Sequence, residues 1–162
     1  MSLPAAMSER LQFLSRVVVK ECNHLVDTDR RLFTQTLTPE HALTLCSDPV
    51  GAERLEAFVS RFGRLQDTVG DKLLPALMVG MAEPIGAAID NLDRAEKLGL
   101  LASADQWMDM RRLRNQMVHE YIEDLQILSS ALRTGHEFVP VLVTASQACV
   151  AQVSRLLKLS AA

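Results

Sequence analysis

The sequence predicts an all-α fold: an antiparallel up-down bundle of four main helices with short connecting helices. Three observations point to it. Apolar residues recur at spacings of three, four and seven along most of the chain. The apolar share is 48% but aromatics make up only 4%, so Leu, Ala, Val and Met dominate, a mixture that favours helices over sheets. Helix-start and helix-stop residues fall where the periodic runs change. The 162 residues suit one compact domain, residues 1–162, and no internal repeat or low-complexity segment divides them.

Leu11, Leu14, Val18, Cys22, Leu25 and Leu32 form one stripe, which predicts a first long helix with a bend near Asp27-Thr28-Asp29. Thr38-Pro39-Glu40 reads as cap, first helical position and dipole partner of a short helix ending near Cys46. Ser47-Asp48-Pro49 opens a long helix with Leu55, Phe58, Val59, Phe62, Leu65, Val69, Leu73 and Leu77 on one face. Arg54, Arg61, Arg64, Thr68, Asp71 and Lys72 lie largely off that stripe. Gly63 and Gly70 align on the surface, and each costs roughly 1 kcal/mol relative to Ala, which predicts close approach of a neighbouring helix. Pro75 should kink or end the helix. A shorter helix is expected over Glu83 to Leu98, stopped by Gly99. Ser103-Ala104-Asp105-Gln106 is a capping-box pattern that starts a helix running to about Arg133, where Thr134-Gly135 stops it. A last helix is expected from Glu137 to Leu159, with Pro140 in its first turn.

Charge and cysteine usage narrow the function classes. A net charge of −3 gives no global attraction for nucleic acid, so any such role needs a local basic patch. Cys22, Cys46 and Cys149 are odd in number and lack metal-site spacing, as expected of reduced, mostly buried thiols in a cytoplasm. Met1 to Ala6 shows no signal-peptide pattern and no stretch is long enough to span a membrane, so the expectation is a cytoplasmic protein without membrane attachment.

The charge-dense segment is Arg111 to Tyr121. At about 100° per residue, Trp107, Met110, Leu113, Met117, Tyr121, Leu125 and Leu128 share one stripe. Arg111, Arg112, Asn115, His119, Glu123 and Gln126 share another, and Arg114 lies at the edge of the first. Arg114 and His119 stand about 140° apart on an ideal helix, so they flank a groove rather than stack. Three guanidiniums suit phosphate because each presents a planar fork of donors, and a neutral histidine nearby can carry protons at cellular pH. On charge pattern alone, the same residues read more readily as a solvated face of surface ion pairs.

Arg114, four residues, His119, one residue, Tyr121 resembles the signature of the HepT toxins in the HEPN superfamily, and the polar Asn115 directly after the arginine resembles that family's habit. The motif spans eight residues late in a helical domain of suitable length. The resemblance implies a metal-independent endoribonuclease: a four-helix-bundle homodimer whose arginines and histidines meet at the dimer cleft. His119 would handle protons as a 2′-hydroxyl attacks the adjacent phosphorus. Arg114 would stabilise the charge that develops, and Asn115, Arg111 and Arg112 would support them. It also implies a small nucleotidyltransferase antitoxin as partner, with Tyr121 as the adenylylation site, and RNA as substrate.

Other signals carry less. Glu21-Cys22-Asn23-His24 has Glu-x-x-His spacing, but no second copy completes a di-metal site, so no metal or other cofactor is expected. His41 and His136 read as groups near helix ends. Gly80 to Gly86 lacks the lysine and serine of a phosphate loop. Two alternatives stay open: a non-catalytic HEPN partner subunit of a nucleotidyltransferase that binds nucleotide or nucleic acid, and a helical protein-interaction module.

Overall fold

A computed structural model describes residues 2–119 and 123–161, and of His119 the backbone alone. The described chain is helical throughout its regular structure, with no strand among the described residues. Helix α1, Ala5–Leu32, is a single helix that buries Leu11, Leu14, Val18, Cys22, Leu25 and Leu32, the stripe read from the sequence. Helix α2, Pro39–Ser47, starts where Thr38 Oγ1 accepts the His41 N–H at 3.1 Å. Helix α3, Pro49–Asp67, is capped by Asp48 Oδ2, which accepts the Gly51 N–H at 2.8 Å.

The long helix expected to run on toward Leu77 passes through a π-turn, Thr68–Leu73, into α4, Leu74–Gly80. The Leu74 N–H reaches back five residues to the Val69 carbonyl. This wider turn stands directly before Pro75, whose ring lacks an N–H and crowds the carbonyl four residues earlier in a regular helix. The distortion expected at Pro75 is thus taken up one turn upstream, and the chain keeps its course.

Helix α5 is Ala88–Lys97 and begins five residues later than the sequence pattern implied. The Gly86 N–H donates to Asn91 Oδ1 at 2.9 Å, and Asn91 Nδ2 donates back to the Gly86 carbonyl at 3.3 Å. That reciprocal pair holds the segment before α5 out of the helix. Gly99, at φ +74°, ends α5 as expected. Helix α6, Ala104–His119, starts with Ser103 Oγ accepting the Gln106 N–H at 3.1 Å.

The main correction concerns the last third. Helix α7 is Leu125–Ala161 and runs straight through Thr134-Gly135. Its start is fixed by Asp124 Oδ1, which accepts the N–H groups of Gln126 at 3.0 Å and Ile127 at 3.1 Å. Gly135 is a packing glycine: a Cβ there would lie 3.3 Å from both Met117 Sδ and the Phe58 ring. Pro140 therefore sits inside a helix rather than in its first turn, His136 lies well within α7 rather than near an end, and Leu125 and Leu128 belong to α7 rather than to the stripe of α6.

Consecutive long helices run antiparallel. Glu21 meets Thr68 at 3.1 Å and Arg61 bonds Thr28, so residue numbers fall on α1 as they rise on α3. Asp29 meets His136 at 2.7 Å while Leu3 N–H meets Ser160 Oγ at 2.7 Å, which sets α7 against α1. Helix α6 opposes α3, Gly63 facing Arg114 and Gly70 facing Trp107, and opposes α7 through Met117 over Gly135 and a cleft shared by Trp107 and Thr144. One apolar core, including Phe58, Phe62, Trp107, Met117 and Leu142, sits among these four helices. Among the described residues no helix is long and apolar enough to cross a membrane.

Candidate phosphate-directed groove

The seam between α3 and α6 is built around two glycines. Gly63 and Gly70 are seven residues apart, and so are Arg114 and Trp107 on the facing helix. A Cβ at Gly63 would lie 2.8 Å from Arg114 Cζ, inside contact distance; one at Gly70 would lie 3.2 Å from Trp107 Nε1. Each missing side chain thus leaves a step that a large side chain of α6 occupies. The close approach expected from the glycines is present, and it comes from side chains rather than from backbone.

Arg114 lies over the Gly63 step with Nη1 donating to Asp67 Oδ1 at 2.7 Å. Its side chain is 33% exposed. One nitrogen serves the carboxylate, so the rest of the guanidinium fork remains for a further acceptor. The groove beside it has a volume of about 690 Å³. Arg64, Lys72 and Arg114 line it, as do Glu56, Asp67 and Asp71. Leu55, Val59, Met117 and Val118 supply apolar wall, and Ser60 and Thr68 supply hydroxyls.

The other predicted residues of this segment spread around α6. Arg111 reaches across to Asp71 on the π-turn at 3.5 Å. Arg112 pairs with Asp109 on its own helix and is 72% exposed. Asn115 is exposed. Arg111, Arg112, Arg114 and Asn115 do share a second groove of about 520 Å³ on the solvent side of α6. Arg114 and Val118 line both grooves, so Arg114 stands on the ridge between them. The His119 side chain and the whole of Tyr121 lie outside the described residues.

Sequence reasoning missed Asp67, which anchors Arg114, and read Glu21 only as half of an incomplete metal motif, whereas it stands behind the groove. Thr68 Oγ1 donates to Glu21 Oε1 at 3.1 Å, while Glu21 Oε2 is buried without a hydrogen-bond partner. Burial pushes the Glu21 carboxyl above its ordinary range, opposed by the Thr68 hydrogen bond and by the charges of Arg64 and Lys72. No local pattern marks Asp67, because its partner is on a helix 47 residues away. Among the described residues no group of three or more His, Cys, Asp or Glu is placed to hold a metal ion. Comparison with protein-family models, with curated proteins and with solved structures finds no match to this chain.

Proposed function

We propose that this chain is an RNA-cleaving protein of the HEPN type, a toxin of a HepT-like pair, working as a homodimer with Arg114 and His119 at the cleft. The observation that carries the reading is the seating of Arg114. The motif arginine is held by Asp67, over a step that only a glycine leaves, on the ridge between two grooves that together carry Arg64, Lys72, Arg111 and Arg112. An arginine on a merely solvated face needs no such seat. Four long antiparallel helices are also the frame that the resemblance implies.

In this reading His119 accepts the proton of an RNA 2′-hydroxyl as that oxygen bonds to the adjacent phosphorus. The bond from phosphorus to the 5′-oxygen breaks, and that oxygen takes up a proton. The free part of the Arg114 fork meets the negative charge that grows on the non-bridging oxygens. Asn115 orients His119 or the phosphate. A second copy supplies the complementary arginine and histidine, since one helix sets the two on different azimuths. Tyr121, two residues past His119, is the site a nucleotidyltransferase partner would adenylylate, which would add bulk and negative charge beside the cleft.

The decisive experiment is RNA cleavage by the purified protein in EDTA. Arg114→Ala and His119→Ala should each lower the rate by about 10²–10⁴-fold with an unchanged helical circular-dichroism spectrum. Cleavage that survives both substitutions would overturn the assignment. A second reading is a non-catalytic partner subunit that binds nucleotide or RNA: the three carboxylates in the larger groove offset its three cations, which weakens charge stabilisation of a cleavage transition state more than simple binding at the part-exposed Arg114. RNA bound but never cut by the wild-type protein would select it.

A further inference from the structure

We propose that Arg64 and Lys72 form a phosphate subsite in the groove between α3 and α6, one that takes the nucleotide next to the cleaved bond of a single-stranded RNA. This rests on the RNA-cleaving reading. Some of the charges here are already engaged. Asp67 is tied to Arg114 and Asp71 to Arg111, so the two aspartates on this wall serve arginines of α6. Arg64 and Lys72 form no ion pair among the described residues; Arg64 reaches only the neutral Ser60 hydroxyl, at 3.4 Å. Both side chains are exposed and line the groove; their charges also act on the buried Glu21 carboxyl, but neither is paired with it, so both can meet an anion in the groove.

Their spacing fits that role. Arg64, Thr68 and Lys72 follow at intervals of four along one wall, from the last turn of α3 into the π-turn. The π-turn thus contributes both Thr68 and Lys72, and such turns occur frequently at functional sites. Arg64 offers a planar fork and Lys72 a mobile point charge; eight residues separate them, about 12 Å along the helix, so the pair suits consecutive phosphates of one strand rather than a single one. Val59, half-buried, and Val118, 45% exposed, give the groove an apolar face beside Arg114; Leu55 and Met117 also line it but are buried. A base laid on that face must be unstacked, which selects single strands.

The test uses a 2′-O-methyl RNA hexamer, which lacks the attacking hydroxyl, and fluorescence anisotropy at several salt concentrations. The full chain is compared with Arg64→Gln/Lys72→Gln and with a charge control, Lys97→Gln/Lys158→Gln, whose residues lie outside the groove. The groove variant should bind about tenfold more weakly, and its dependence of log K on log salt should flatten by about 0.7 for each phosphate that the protein no longer neutralises. The control should match wild type. An equal weakening in the control, or none in the groove variant while wild type binds, overturns the subsite. Cleavage that needs Arg114 and His119, with hexamer binding unmoved in the groove variant, keeps the RNA-cleaving reading and sinks the subsite alone. Adenosine 5′-monophosphate, titrated calorimetrically, separates the reverse case. Binding that depends on Arg64 and Lys72, with no RNA bound or cut, supports the phosphate site and sinks the RNA reading. If neither probe binds, the subsite falls.

Discussion

The Arg114 guanidinium crosses the step left by Gly63 and meets Asp67 at 2.7 Å, so a residue with no side chain and a residue with a long charged one share a single position in the seam.

That relationship separates stability from activity. In Gly63→Ala the new methyl would press on the guanidinium, which is the mobile end of a long side chain and can swing away. The helix itself gains up to roughly 1 kcal/mol from the alanine. The variant should melt at or above the wild-type temperature while RNA cleavage falls at least about tenfold, because Arg114 is displaced from its seat. Thermal denaturation followed by a cleavage assay checks this. Full activity in a stable Gly63→Ala protein would show that the seat does not matter.

Gly135 should behave differently. A Cβ there meets Met117 Sδ and the Phe58 ring, and Phe58 is fully buried with no room to swing. Gly135→Val should destabilise the protein by about 1–3 kcal/mol, the usual cost of overpacking. Urea unfolding measures it. A variant as stable as wild type would contradict the close packing of α6 on α7.

Glu21 gives a pH-dependent prediction. Its carboxyl titrates above the ordinary 4.5, chiefly through burial. A raised folded value means the native state holds the proton more tightly than the unfolded chain. That stabilisation is complete below about pH 4.5 and is lost as pH rises through the raised value. Glu21→Gln cannot ionise, and its amide oxygen still accepts from Thr68. The variant should therefore be more stable than wild type at pH 7, with the gap closing as pH falls into the carboxylate range. Urea midpoints across that range test it; a variant weaker than wild type at pH 7 would mean that Arg64 and Lys72 outweigh burial.

The cysteines should differ sharply in reactivity. Burial pushes the Cys149 thiol up to about 12, and Cys22 is buried as well. Cys46 is partly exposed and only weakly enclosed. Since the thiolate is the nucleophile, iodoacetamide at pH 8 should label Cys46 first and reach Cys149 only on unfolding. Peptide mass spectrometry reads the order. Labelling of folded Cys149 at the rate of Cys46 would mean that α7 opens locally.

Local signals are legible in the sequence and distant ones are not. Thr38, Asp48, Ser103 and Gly99 mark helix ends through contacts within a few residues, so spacing alone identifies them. Gly135 carries the same letters as a helix stop, yet its reason is a contact with Phe58, 77 positions earlier in the numbering (135 − 58). The break expected at Gly135 falls instead before Leu125, where Asp124 is the cap. The site shows the same division. The cluster of Arg111, Arg112, Arg114 and Asn115 is readable as a run of polar letters. What holds Arg114 in the seam is Asp67 on the facing helix, and nothing short-range in the chain selects that residue.

The paired glycines also restrict how the seam can move. They act as two notches about 10 Å apart along one helix, and Arg114 and Trp107 act as two teeth at matching spacing on the other. A shift of one helical turn would drive both teeth onto positions that carry side chains. The two helices therefore have one mesh, like a key cut for a single depth, and relative motion here takes the form of parting rather than sliding.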